Sequence, residues 1–437
     1  MRFGTDGVRG RANTELTPAF ALNLGRAAAQ VLDAELAVVG GDSRISTPML
    51  EAAFVAGLAA EGVEVHRLGV TPTPAVAFEA QRLGAMGAVI SASHNEYSDN
   101  GIKLFAPGGT KLPDEVEARI ETALHSLGDP TVDPAPIHGR GASAEGYIEH
   151  LISMLEGRDL NGMGVVVDAA NGAASHLAAD VMQRTGARTI VVNAQPNGTN
   201  INAGCGATDP AGLQAVVTAE RAHVGIALDG DADRLIAVDE RGRIVDGDHI
   251  IAICAADLRT RGLLRHDTVV VTVMTNLGFR LAMEEAGIAV VETPVGDRYV
   301  LEALAAGGYS LGGEQSGHVI FSDRATTGDG LLTGLVLLDV VHRSGRPLSE
   351  LAAAAMTQLP QVLVNVPVGS RRDDAIGILA ADIAVWEERL GHTGRILVRP
   401  SGTEALVRIM VEAPTGDLAS EVAESLRLAL VDAVSER

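Results

Sequence analysis

Cysteine is nearly missing from this chain: there are two, Cys205 and Cys254. They form neither a metal-ligating pair nor a disulfide framework, which fits a reducing, cytoplasmic setting. No apolar run reaches membrane-spanning length. The first residues, MRFGTDGVRG, lack a basic segment followed by an apolar one, so no secretory signal is expected there. Positive charge is also scarce. Lys and Arg number 34 against 56 Asp and Glu, for a net charge of −22, and no Lys/Arg block interrupts the chain. Such a chain repels a nucleic-acid backbone. An anionic ligand therefore needs a pocket where a few arginines and lysines are gathered locally. What is present is a 437-residue chain, 46% hydrophobic, with the composition of a globular protein of about two to four domains.

Strand and helix patterns alternate along it. LAVVGGD (36–42) is an apolar run bounded by glycine, and STPMLEAAFVAGLAAEG (46–62) reads as a helix with Pro48 in its first turn and Gly62 past its end. VEVHRLG then returns to strand. Such alternation implies βαβ units. The stretch 395–413 differs, reading as two strands around a polar loop, followed by a closing helix. The expected fold class is α/β: three doubly wound α/β domains (1–146, 147–245, 246–361) and a smaller C-terminal α+β domain (362–437) around a central cleft. Ligands of such sheets sit beyond the carboxyl ends of the strands, and the polar clusters of this sequence fall there.

The first cluster is DGDADR. Asp229, Asp231 and Asp233 alternate along an extended segment and so point to one side. Three like charges that close call for a cation, and oxygen ligands select a hard one, Mg2+. A calcium EF-hand loop is excluded: its sixth position needs glycine where Arg234 stands, and apolar runs flank the segment where helices are required. A solvated acidic turn is the plainer reading, but the adjacent arginine favours a phosphoryl clamp.

Three further segments are modest singly. In RPSGTE, Arg399 offers a bidentate fork, Ser401 and Thr403 offer hydroxyls, Gly402 allows close backbone approach, and Arg408 on the next strand adds charge. An ordinary hairpin turn reads equally well from this segment alone. GGEQSGH presents Glu314, Ser316 and His318 on a tight loop suited to sugar hydroxyls. VGDRYV adds Arg298, and GTDGVRG adds Arg9, which by itself reads as a surface arginine. Finally, the apolar AVI of residues 88–90 stops at SASHN, leaving Ser93 and His94 at a strand end, with Lys103 following. Together these make a Mg2+ site, a phosphate loop, a hydroxyl-reading loop and a strand-end serine, which points to phosphosugar chemistry.

FGTDGVRG, ISASHN…DNGIK, DGDADR, GGEQSGH and RPSGTE, in that order and rough spacing, resemble the α-D-phosphohexomutase superfamily over the whole length, nearest its glucosamine branch. The resemblance implies that Ser93 is a phosphoserine carrier. Asp229, Asp231 and Asp233 would bind one Mg2+, with the Ser93 phosphate completing its shell. Arg9, Lys103 and Arg234 would line the moving phosphoryl group, and either Lys103 or His94 would handle the hydroxyl proton. Glu314 and Ser316 would read the sugar, and Arg399, Ser401, Gly402 and Thr403 would hold the phosphate that is not reacting. The implied reaction interconverts the 6- and 1-phosphates of glucosamine through a 1,6-bisphosphate, feeding amino-sugar and cell-wall precursors. Glucose or glucosamine 1,6-bisphosphate would be the activator. The expected partners are small phosphosugars, with no nucleic acid or membrane, in a monomer or homodimer. Two departures stand out: Glu96 and Ala405 occupy positions where the family usually has proline. A glucose/mannose mutase is the same-class alternative, and a catalytically weak phosphosugar-binding or regulatory protein the alternative of another class.

Overall fold

The computed structural model describes residues 2–4, 6–139, 144–368, 374–400 and 405–435. The chain forms two compact units: Met1–Met274 with Gly287–Ala355, and Thr275–Ala286 with Met356–Arg437.

The first unit contains three sheets. In the first, the β-branched and small-residue runs at Leu36–Gly41, Glu64–Val70, Met86–Ile90 and Ile137–His138 pair in parallel, and Asp99–Phe105 and Val8–Arg11 add antiparallel at one edge. The central strands are buried on both faces because helices cover them, as a parallel core requires. Helix Thr47–Ala60 has Pro48 in its first turn and Gly62, in left-handed conformation, beyond its end. The second sheet pairs Gly164–Asp168, Arg188–Val192 and Val224–Leu228 in parallel and then turns antiparallel through Leu235–Asp239 and Ile244–Val245. The third joins Ala289–Thr293, Thr268–Thr272 and Leu311–Gly313 in parallel, closed by antiparallel Val319–Phe321.

In the second unit, Gln361–Pro367, Leu406–Glu412 and Arg395–Pro400 make an antiparallel sheet packed by helices Ala375–Leu390 and Gly416–Ser435. This is the two-strand-plus-helix pattern of residues 395–435.

Three of the sheets share one feature. Three of the predicted motifs lie in hairpins: 91–98 between Met86–Ile90 and Asp99–Phe105, 229–234 between Val224–Leu228 and Leu235–Asp239, and 314–318 between Leu311–Gly313 and Val319–Phe321. The α/β expectation correctly put these segments at strand carboxyl ends. The antiparallel return strand was not apparent from it, because a fully buried strand carries no period that distinguishes its partner's direction.

Candidate active site

The first unit brings Ser93 into the acidic cluster. Ser93 Oγ donates to Asp229 Oδ2 at 2.6 Å, and His94 Nδ1 lies 3.3 Å from the same hydroxyl. Ser93 is buried and has φ of 51°, a left-handed conformation that a serine adopts only when its surroundings impose it. Three tethers impose it. Ser91 Oγ accepts from Ser93 N (2.9 Å) and donates to Asp42 Oδ2 (2.6 Å). Asn202 donates to the carbonyls of Ser93 and Asn95 (2.9 and 3.1 Å). Arg44, 1% exposed, fans its guanidinium into the loop: Nη2 donates to the carbonyls of Ser93 (2.9 Å) and Asn95 (2.8 Å), Nη1 to those of Glu96 and Asp99 (3.2 Å for Asp99), and Nε to Asp42 Oδ2 (2.8 Å). Gly230 is needed on the other side, since a Cβ there would lie 2.5 Å from the Ser93 carbonyl oxygen.

The carboxylates of Asp229, Asp231 and Asp233 offer ligand atoms within 4.8 Å of one another, and all three side chains are buried. Burial, and then the charges of Asp233 and Asp231, push Asp229 well above the usual carboxylate range. Asp233 is held below that range: its burial is outweighed by Lys103, His318 and Arg234. Lys103 Nζ contacts Asp231 (2.9 Å), Asp6 (3.0 Å) and Asp233 (3.3 Å), and these carboxylates raise its pKa well above the usual value in spite of burial. Asp231 Oδ1 and Asp233 Oδ1 are buried with no hydrogen-bond donor. Oxygen atoms of that kind, in an oxygen-only trio, fit a hard divalent cation.

Arg234 sits beside this cluster, its Nε 3.8 Å from Asp233, and Asp233, Asp229 and Glu314 raise its pKa against the effect of burial. Arg9, on strand Val8–Arg11, pairs with Asp6. Burial and the neighbouring Arg234 and Arg9 bring His94 down to about 4. His318 is buried between Asp233 (3.7 Å) and Asp297 (3.5 Å), which raise its pKa against desolvation. Glu314 accepts from the Gly296 amide (3.1 Å), and Ser316 is exposed.

Arg298 is directed elsewhere: it pairs with Asp114 and, at 2.8 Å, with Glu117. Its neighbour Asp297 is the residue that reaches the cluster, through His318 and Lys111. In the second unit, Arg399 and Arg408 are register partners on adjacent strands, and burial with the Arg408 charge lowers the Arg399 pKa. Ser401, Gly402 and Thr403 lie outside the described residues.

Several residues in the site were not singled out from the sequence, Asp6 among them although it lies within GTDGVRG. Asp6 bridges Lys103 and Lys111 (3.0 Å each) and has its pKa lowered by them against burial. Thr73 Oγ1 donates to Asp231 Oδ2 at 2.6 Å. Arg44 and Asp42 hold the serine loop. The one available signal was position: Asp42 and Arg44 directly follow the buried run 36–41, at a strand's carboxyl end.

Family models for phosphoglucomutase/phosphomannomutase cover nearly the whole chain: alpha/beta/alpha domains I, II and III over residues 1–129, 145–242 and 246–359, and the C-terminal domain over 363–429. The chain belongs to the phosphoglucomutase/phosphomannomutase family. It is 54% identical over 441 residues to the phosphoglucosamine mutase of Frankia alni, with 97% of this chain and 96% of that one covered. The solved structure of a phosphoglucomutase/phosphomannomutase family protein from Burkholderia thailandensis matches at a TM-score of 0.83 and 25% identity, over 99% of this chain and 97% of the other. The N-acetylphosphoglucosamine mutase of Aspergillus fumigatus, solved with GlcNAc-6P and magnesium, shares the fold at a TM-score of 0.70 and 21% identity, over 99% and 96% of the two chains. Phosphosugar mutase activity follows from this membership and from full-length relatives at that identity. No helix among the described residues is long and apolar enough to cross a membrane.

Proposed function

We propose that this mutase interconverts glucosamine 6-phosphate and glucosamine 1-phosphate, with Ser93 as the phosphoryl carrier and glucosamine 1,6-bisphosphate as the intermediate. The observation that carries the reading is the 2.6 Å hydrogen bond from Ser93 Oγ to Asp229 within the acidic trio. The preference for glucosamine rests on the Frankia relative.

In the forward direction, O1 of the 6-phosphate attacks the phosphorus of phospho-Ser93, the P–Oγ bond breaks, and the O1 proton passes to the released Oγ. The bisphosphate reorients, Ser93 Oγ attacks the O6 phosphorus, the P–O6 bond breaks, O6 takes the Oγ proton, and the 1-phosphate leaves. His94 suits proton exchange at the serine hydroxyl, with Nδ1 3.3 Å from Oγ. Lys103 is engaged by three carboxylates and suits an electrostatic role. Arg9 and Arg234 suit the charge that spreads over the moving group's oxygens. Mg2+, which accompanies the ligand in the Aspergillus structure, would be held by Asp229, Asp231 and Asp233 with the phosphate on Ser93, and would supply further neutralisation. Glu314 and Ser316 are assigned to the sugar hydroxyls. His318 ties that loop to Asp233 and Asp297, while Arg298, paired with Asp114 and Glu117, is not assigned to the sugar. The phosphate that is not reacting is assigned to Arg399, Ser401, Gly402, Thr403 and Arg408. A 1,6-bisphosphate is the activator expected to restore any enzyme left dephosphorylated. The domain limits at 147, 246 and 362 belong to the same proposal.

Glu96 is exposed, and its carbonyl is gripped by Arg44, so the serine loop is anchored without the usual proline. That favours activity over the reading as a weak phosphosugar-binding protein. The test is a coupled assay on the 6-phosphates of glucosamine, glucose and mannose with bisphosphate present, run on native protein and Ser93→Ala. Fast glucosamine turnover, a phosphate on native Ser93 by intact mass, and no turnover in Ser93→Ala are expected. Full activity in Ser93→Ala refutes the carrier, and faster turnover of glucose or mannose phosphates refutes the sugar assignment.

A further inference from the structure

Away from the acidic trio, at the edge of the first sheet, three side chains converge. We infer that Glu64, His66 and His138 form a second metal site, selective for a borderline divalent ion of the zinc class. Strands Glu64–Val70 and Ile137–His138 run in parallel with His66 directly opposite His138. Glu64 is two residues before His66 and so lies on the same face. The rings meet edge to face with centroids 4.9 Å apart. Both turn the same nitrogen to one carboxylate oxygen: His66 Nε2 is 3.1 Å and His138 Nε2 is 2.8 Å from Glu64 Oε1.

Those separations are close to what a metal requires. Bonds of roughly 2.0–2.2 Å at a tetrahedral ion put neighbouring ligand atoms about 3.3–3.6 Å apart. The three ligand atoms lie within 4.8 Å of one another, so small rotamer adjustments open the position. Two imidazoles and a carboxylate select zinc, cobalt, nickel or copper over magnesium, whereas the oxygen-only aspartate trio prefers hard ions. The side chains are 43%, 33% and 51% exposed for Glu64, His66 and His138, which admits an ion and leaves water as its fourth ligand. The net charge of −22 favours cation capture.

The ion would act as a clip. Ile137–His138 is a two-residue edge strand, reached through residues 125–136, which carry neither helix nor strand. So short a strand holds few ladder bonds, and a metal bridging it to its neighbour fixes it in register.

The test uses the full chain, stripped with chelator and then saturated with Mg2+ so that the aspartate trio does not compete. Co2+ is titrated by visible absorption and by calorimetry, in native protein and in His66→Ala/His138→Ala, whose changes are at half-exposed positions. One Co2+ per native chain is expected, with affinity at least tenfold weaker in the double variant. Equal uptake by the two proteins, or none by the native chain, overturns the site. Hydrogen exchange of residues 125–138, slowed by Zn2+ in native protein alone, supports the clip. Zn2+ binding without that slowing overturns it.

Discussion

Arg44 is the residue whose replacement most directly probes how the serine loop is held. Its guanidinium makes five hydrogen bonds, four of them to carbonyls of the loop that carries Ser93. Lysine keeps the charge but brings three donors on a single nitrogen and cannot span the fan. In Arg44→Lys, two or more of these bonds are lost. The carbonyls of Ser93 and Asn95 keep Asn202 as a donor and Glu96 is exposed, so each lost bond counts at about 0.5–1.5 kcal/mol and the local penalty is about 1–3 kcal/mol. The loop relieves it by moving. Ser93 then leaves its left-handed conformation, and its Oγ leaves the 2.6 Å contact with Asp229. A reacting atom displaced by about 1 Å lowers turnover by about a hundredfold. Arg44 contacts no substrate in this scheme, so it is a positioning residue, and kcat should fall while KM changes little. The assay is steady-state turnover of glucosamine 6-phosphate with bisphosphate present, alongside thermal unfolding and hydrogen exchange of residues 91–99. Faster exchange confined to that loop, with a fall in kcat, is expected. Native kcat and native exchange in Arg44→Lys would refute the tethering argument, and a loss of KM alone would move Arg44 into the binding site.

Three other outcomes are expected. Asp231→Asn removes a charge from the acidic trio and weakens its contact with Lys103, so half-maximal activity should require on the order of tenfold more Mg2+; an unchanged metal titration tells against the site. Gly230→Ala sets a methyl group 2.5 Å from the Ser93 carbonyl, so turnover should fall while the Mg2+ requirement changes less than in Asp231→Asn. Tyr147→Phe deletes the 2.8 Å bond to Asp329, which caps helix Gly330–Ser344, and should lower stability by about 1–3 kcal/mol in urea unfolding with mutase activity intact.

The sequence was informative where one segment carries its own signal. Asp229, Asp231 and Asp233 are alternate residues of one loop, so their convergence is a local property, and Ser93 was marked by an apolar run ending in hydroxyls. Arg44, Asp6 and Thr73 were missed for the opposite reason. Arg44 and Asp6 are single polar residues in loop segments and Thr73 begins a helix, and only tertiary structure brings each to a loop that is distant in sequence. Arg298 shows the same limit from the other side. The Asp-Arg pair in VGDRYV was noticed, but helix geometry turns the two side chains apart, sending Arg298 to Asp114 and Glu117 and Asp297 to His318.

The hairpin placement of the motifs bears on how such a chain can diverge. The spans 91–98, 229–234 and 314–318 are each clamped at both ends by paired strands, so their ends are fixed by ladder bonds rather than by the helices outside. Helix surfaces can then drift far while the spans stay in place, in keeping with a shared fold at 21% identity. The same clamping makes single-residue insertions dangerous there. One added residue that shifts the return strand against its partner turns its inward face outward, so variation in these segments should come as substitutions such as Glu96 rather than as changes of length.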